Sequence, residues 1–348
     1  MSNPTFVLER SKLQKNLQKL RTLSEQTGVK WLYTLKAFDA PPALEMIATI
    51  LDGFSIGNMT EAGKVSCYTD KKLHCYAPAF DANELEALAQ HSHTFSFNSL
   101  SQWRQFAPRC HKHTSLGLRI NPKLSLLQPA YCDCNDSRLG VDYRTFLTEA
   151  ANITGLEGLH FHPFCHQNAD ALATLLAHIQ THYDTLLPSL KWLNLGGGQE
   201  FTSSHYDTQR FISSIRHFQK RYPNLTLYFE PGSAVIHECG YFVCEIMDII
   251  PHPHTPIVIL NTSIESHLLD VAITKHAPKV RNTSTTPTPY RYTLSGMSCI
   301  AGDTIGTYYF TQPLHIGKKV IFENMLGYTM VKQTTFNGLS PAGFEIVE

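Results

Sequence analysis

The chain has 348 residues, enough to bury a large core and to form two domains. Its composition, 43% hydrophobic and 17% charged, is that of an ordinary soluble globular protein rather than a disordered or fibrous one. Lys plus Arg and Asp plus Glu both total 29, so no net field favours nucleic acid or an anionic membrane. The start, Met1-Ser2-Asn3-Pro4, has no basic segment followed by an apolar one, so no signal peptide is visible. No stretch approaches the roughly 18 apolar residues of a membrane span.

Residues 1–13 are expected to form an N-terminal strand. From about residue 29 to 235, short apolar strands alternate with amphipathic helices. Strands are expected at 28–35, 53–56, 72–76, 94–97, 115–120, 158–162, 191–195 and 225–229. Helices are expected at 42–51, 60–67 with Thr60 as N-cap, 83–90, 170–187 and 208–220. About eight such units in roughly 210 residues fit a (β/α)₈ barrel, with a doubly wound open sheet as the alternative. The barrel is expected over 14–238. After Glu238 the texture changes to strands at 241–250, 257–261, 290–294, 306–310 and 319–323, separated by Pro and Gly turns with no convincing helix between them. Residues 239–348 are therefore expected to form a mainly β domain, joined by the N-terminal strand. Asn282 to Pro289 reads as an exposed loop.

Nine cysteines cannot all pair internally, so reduced thiols and a cytoplasmic setting are expected. Cys132-Asp133-Cys134 lacks the spacing and the second pair of a zinc site. His111-Lys112-His113 and His252-Pro253-His254 read as solvated loops, and no metal is expected.

Lys36 is the lone cation at the end of the apolar run Trp31 to Phe38. Burial favours a neutral amine, the form that makes a Schiff base with an aldehyde. The bland alternative is a strand-end lysine snorkelling to water. Leu193-Asn194-Leu195-Gly196-Gly197-Gly198 places three glycines directly after a strand, where consecutive N–H groups can cradle a phosphate. Glu230, in Tyr228-Phe229-Glu230-Pro231-Gly232, puts a carboxylate at the end of another strand. In His160-Phe161-His162 the imidazoles point the same way from one strand, and a third metal ligand is not evident. Ser298-Cys299-Ile300-Ala301-Gly302-Asp303 joins a thiol, a proton donor, to a carboxylate able to bind an ammonium group. Gly327-Tyr328-Thr329 supplies a phenol, followed by a turn at Phe336-Asn337-Gly338.

In this order, the segments around Lys36, His162, Gly196-Gly197-Gly198, Glu230 and Cys299 resemble the alanine-racemase-like (fold type III) pyridoxal-phosphate decarboxylases, most nearly those acting on carboxylated polyamines. The resemblance covers almost the whole chain. It implies the cofactor pyridoxal 5'-phosphate, carried by the Lys36 amine. His162 would stack on its ring and Glu230 would pair with the ring nitrogen. Gly196, Gly197, Gly198 and Tyr328 would hold the phosphate, with Arg138 nearby. The resemblance assigns the substrate side to Asp303, Glu230 and Cys299. Cys299 would be the proton donor and Asp303 the partner of a distal ammonium. Both would enter the site of a second subunit, in an obligate head-to-tail homodimer. The implied activity is decarboxylation of carboxynorspermidine or carboxyspermidine in polyamine biosynthesis. A decarboxylase of diaminopimelate, lysine or ornithine, an amino-acid racemase, and a non-catalytic cofactor carrier are the competing readings. Gln199, His166 and Ser233 depart from the group's pattern.

Overall fold

The computed structural model of the protein describes residues 3–110, 112, 114–124, 126 and 137–348. Two compact units are present, one of Asn16–Leu35 and Asp39–Val235, the other of Met1–Lys15, Lys36–Phe38 and Ile236–Glu348.

The first unit is built on eight parallel strands: Lys30–Thr34, Gly53–Ile56, Lys72–Tyr76, Thr94–Phe97, Ser115–Asn121, Gly158–His160, Trp192–Asn194 and Thr226–Phe229. Each pairs with the next, and the last returns to the first, with Tyr228 opposite Lys30, so the sheet closes into the expected barrel. Closure excludes the open doubly wound sheet. Strands such as Gly53–Ile56 and Thr94–Phe97 are buried at every position, as a sheet covered on both faces requires. The registers set polar residues beside one another. Ser55 lies opposite His74 and His74 opposite Thr94, while Arg119 lies opposite His160 and His160 opposite Asn194. Beside this layer Trp192 fills the barrel; a Cβ at Gly158 would lie 2.1 Å from its ring.

Three helices of seven residues or more escaped the sequence reading. Helix Arg10–Thr27 begins directly after strand Thr5–Glu9, so the expected strand over 1–13 is shorter than read. Its buried Leu13, Leu17 and Leu20 repeat at helical spacing. Leu100–Cys110 and Tyr143–Glu149 are the other two. Helix Met59–Val65 is capped by Asn58, not Thr60; the Asn58 side chain accepts the Glu61 N–H at 2.9 Å. Asparagine one residue upstream satisfies an otherwise orphaned donor. Among the described residues, no helix is long and apolar enough to cross a membrane.

On helix Ala169–Tyr183, His178 packs 4.4 Å from the ring of His182. Burial, aided by the His182 charge, lowers His178 from 6.5 to about 4. The unfolded chain takes up this proton near the ordinary histidine value, whereas the folded chain resists until the lowered one. Stability is therefore lost as pH falls through that window. The melting temperature is expected to drop between about pH 6.5 and about pH 4, and His178→Gln to flatten that slope. His74 and His267, both lowered by burial, act in the same direction and keep the slope from vanishing.

The second unit is a mixed sheet in the order Thr283–Ser284, Thr304–Phe310, Tyr290–Ser295, Ile257–Leu260, Gly240–Ile250, Thr5–Glu9, Gly343–Val347, with Lys319–Glu323 also paired to Gly240–Ile250. Two short helices, Ile264–His267 and Leu269–Thr274, stand where none was expected. At four and six residues they are too short to show a helical period. Thr283–Ser284 adds a two-residue strand within the stretch read as loop. His252 and His254 are exposed, as expected, while His111, His113 and Cys132 to Cys134 lie outside the described residues.

Candidate active site

Glu230 follows strand Thr226–Phe229 and is 5% exposed. Its Oε1 accepts hydrogen bonds from Asn194 Nδ2 at 2.9 Å and Ser55 Oγ at 3.1 Å. Nε2 of His74 stands 3.6 Å from Oε1, and Nε2 of His160 stands 3.8 Å from Oε2. Both imidazoles are fully buried. The two histidines and Glu230 therefore form a compact group, their nearest donor atoms within 4.8 Å of one another. The sequence reading sought a third ligand beside His160 and His162, whereas the cluster joins His160 to Glu230 and to His74, from a strand far away in the chain. Burial holds His74 below the ordinary histidine range, against the opposing pull of Glu230. Its Nδ1 is hydrogen-bonded to Thr94 Oγ1 at 2.8 Å. Tyr76 stands edge-on to His160, and its other neighbour is the Arg119 guanidinium, 4.5 Å above the ring. Burial raises the Tyr76 phenol, which donates to Asn98 Oδ1 at 2.8 Å. Asn98 in turn donates to the carbonyl of Arg138 at 3.1 Å, fixing backbone beside an exposed side chain. Sequence reasoning missed Ser55, His74, Tyr76, Asn98 and Arg119, and noted Asn194 only as part of the glycine motif, without a role.

The glycine turn departs from a simple phosphate cradle. Gly196 donates its N–H to Asn194 Oδ1 at 2.9 Å, and Gly197 to His162 Nδ1 at 3.2 Å. Two of the three expected backbone donors thus orient side chains. A neutral His162 accepting at Nδ1 carries its proton on Nε2. The strand ends at His160, before His162, and the two rings lie 67° apart instead of parallel. The turn has no room for side chains: a Cβ would lie 2.6 Å from the Phe161 carbonyl oxygen at Gly196, 2.2 Å from that of Glu230 at Gly197, and 2.1 Å from that of Phe164 at Gly198. Next in the chain, Gln199 is buried, and its Oε1 accepts the Tyr206 hydroxyl at 2.5 Å. Its Nε2 has no hydrogen-bond partner among the described residues. A buried donor without an acceptor is costly unless a ligand supplies one. The unit therefore offers an acid for a protonated ring nitrogen, a side-chain-free turn and an open donor, a set that fits pyridoxal phosphate. Of the other departures, exposed His166 places Nδ1 3.2 Å from Glu200, and Ser233 opens the short helix Ser233–Ile236.

Lys36 lies in the other unit. It is neither in a strand nor buried: the strand stops at Thr34, and a 3-10 turn, Leu35–Ala37, presents the Lys36 side chain outward while Leu35, Ala37 and Phe38 are buried. The turn is pinned from far along the chain, since the Tyr328 N–H donates to the Ala37 carbonyl at 2.7 Å. Tyr328 adopts φ 59, and the Lys332 ammonium lies 5.3 Å from its ring centre.

Cys299 is exposed, and its N–H donates to Asn337 Oδ1 at 2.8 Å, joining its loop to the turn singled out in the sequence. Among the described residues, all seven cysteines are free thiols. Asp303 departs from its expected role. It is 4% exposed, and both carboxylate oxygens are engaged. Oδ1 accepts the Ile264 N–H at 2.9 Å, and Oδ2 accepts the Ser298 N–H at 3.1 Å and the Ser298 hydroxyl at 2.6 Å. An acid braced by three donors stabilises the loop that carries Cys299 instead of facing a ligand. Asp303→Ala is expected to cost about 1–3 kcal/mol, read as a lower urea midpoint at unchanged m-value.

The family described as pyridoxal-dependent decarboxylase, C-terminal sheet domain, matches residues 31–325. A carboxynorspermidine/carboxyspermidine decarboxylase of Campylobacter jejuni is 36% identical over 353 residues, covering 97% of this chain and 91% of the relative. A carboxyaminopropylagmatine decarboxylase of Synechocystis sp. is 37% identical, covering 97% of this chain and 88% of the relative. The crystal structure of carboxynorspermidine decarboxylase complexed with norspermidine, from Campylobacter jejuni, matches with a TM-score of 0.91 and 34% identity, covering 99% of this chain and 94% of that one. With its closed barrel, its second sheet unit and this family match, the chain belongs to the pyridoxal-dependent decarboxylases and uses pyridoxal phosphate as its cofactor.

Proposed function

We propose that this decarboxylase removes CO₂ from carboxynorspermidine, carboxyspermidine or both, giving norspermidine or spermidine. The observation that carries the reading is the likeness, along 99% of this chain, to the norspermidine-complexed Campylobacter enzyme. When bound, pyridoxal phosphate supplies an electron sink for the charge left on Cα as CO₂ departs. Lys36 offers the amine that carries the cofactor. Glu230 would hold the proton of the ring nitrogen, and His162 would lie against the ring. Gly198, Gln199 and Tyr328 serve the phosphate, beside Arg138. Cys299 returns a proton to Cα. An exposed thiol on a braced loop suits delivery to a second subunit, so the active form is a homodimer with shared sites. Mixing inactive Lys36→Ala and Cys299→Ala chains should then restore activity, because some mixed dimers assemble one intact site.

The two carboxylated triamines differ by one methylene, worth only about 1–3 kcal/mol of discrimination. A second reading comes from the Synechocystis relative, at 37% identity, whose named substrate class is a carboxyaminopropyl-agmatine. It replaces the terminal ammonium by a planar guanidinium, which favours a bidentate acid. Diaminopimelate, lysine and ornithine are the remaining alternatives.

The test is product analysis by mass spectrometry with all these compounds in competition. Preferential CO₂ loss from the carboxylated triamines supports the proposal and ranks the two tails. Preference for the guanidino compound, or for a simple amino acid, replaces the substrate and keeps the cofactor chemistry.

A further inference from the structure

The geometry points to Asn194 as a positioning residue, a single buried amide that ties Glu230, the acid assigned to the ring nitrogen, to the glycine turn. This rests on the reading of Glu230 as the ring nitrogen's partner. Asn194 is fully buried and uses both ends of its amide: Nδ2 donates to Glu230 Oε1 at 2.9 Å, and Oδ1 accepts the Gly196 N–H at 2.9 Å. The main chain reinforces the link, since the Glu230 N–H donates to the Gly196 carbonyl at 2.8 Å. Only a group with a donor and an acceptor at this length makes both side-chain bonds. Aspartate accepts from Gly196 but has nothing to give Glu230.

The surroundings make Asn194 matter. Around Glu230 stand Ser55, which donates to the same Oε1 at 3.1 Å, and His74 and His160, whose nitrogens remain at 3.6 and 3.8 Å. Those two distances exceed hydrogen-bond length. Tyr76 and Arg119 pair with each other beside His160. The Asn194 amide is thus the shorter of the two hydrogen bonds that fix the carboxylate, and it alone also reaches the turn.

The test exchanges the two groups. Asn194→Asp sets a second carboxylate against Glu230, where two such groups resist joint ionisation. Pyridoxal phosphate affinity, read by titrating the apo-protein, should fall about tenfold or more. Glu230→Gln should bind the cofactor within a few-fold of wild type yet lose turnover. In the double variant Asn194→Asp/Glu230→Gln the new amide donates to the new carboxylate, which still accepts from Gly196. Affinity should return towards wild type while turnover stays low. A double variant as weak as the product of the two single losses, or an Asn194→Asp variant with undiminished affinity, overturns the proposal. If the aspartate variants do not fold, Asn194→Ala and Glu230→Ala take their place. A pair no weaker than Glu230→Ala alone supports the proposal, and multiplying losses overturn it. Wild-type turnover in Glu230→Gln would instead remove Glu230 from the chemistry, a separate failure.

Discussion

Lys36→Ala is expected to lower decarboxylation by about a thousandfold or more, with little change in stability. The first half follows from the proposed role: the Lys36 amine would carry the cofactor's aldehyde, and alanine has no substitute for it. The second half follows from structure. The side chain is exposed, and the turn around it is held by buried Leu35, Ala37 and Phe38 and by the Tyr328 N–H on the Ala37 carbonyl. None of these needs the lysine. Single-turnover CO₂ release, paired with urea unfolding of the apo-protein, reads both halves. A variant as fast as wild type would remove Lys36 from the reaction. A variant that unfolds would show that the turn depends on the side chain.

Gly197→Ala should produce the opposite pattern, a large structural loss that carries activity with it. The added Cβ would lie 2.2 Å from the Glu230 carbonyl oxygen. That neighbour is backbone, so it cannot swing aside as the tip of a flexible side chain would. It also belongs to the residue whose N–H bonds to the Gly196 carbonyl. Two strand ends must part to admit one methyl group. We expect about 3 kcal/mol of destabilisation or more, with cofactor affinity reduced at least about tenfold because Glu230 moves with its backbone. Gly63→Ala is the matching control. It lies in helix Met59–Val65 with open space around the new Cβ, and should gain up to about 1 kcal/mol. Equal effects in the two variants would contradict the steric argument.

The barrel was legible in the sequence because its strands are apolar, short and evenly spaced, and because Glu230 and the glycines fall at strand ends. Helix Arg10–Thr27 was not, since the strand before it drew the eye past its leucine spacing. The inner polar layer was invisible for a deeper reason. Ser55, His74 and Asn194 are single polar residues in separate apolar strands. Their meeting depends on closure and register, which no local pattern encodes. Asp303 misled for a related reason. An acid near a thiol in a glycine loop looks like a ligand site, and only the fold reveals the three donors already facing it. Lys36 drew attention by its chemistry, but its burial was misjudged because the strand stops at Thr34, two residues before it.

The placing of strand Thr5–Glu9 between Gly240–Ile250 and Gly343–Val347 has a consequence for biosynthesis. Phe6, Val7 and Leu8 are made before the barrel, yet their parallel partner Gly343–Val347 is made after it. The whole barrel is translated in between. A nascent chain must therefore shelter an apolar segment until Gly343–Val347 is made, and loss of that strand would leave one edge of Thr5–Glu9 bare. Such an edge recruits neighbours, so aggregation of this enzyme should be most sensitive to disruption of Gly343–Val347.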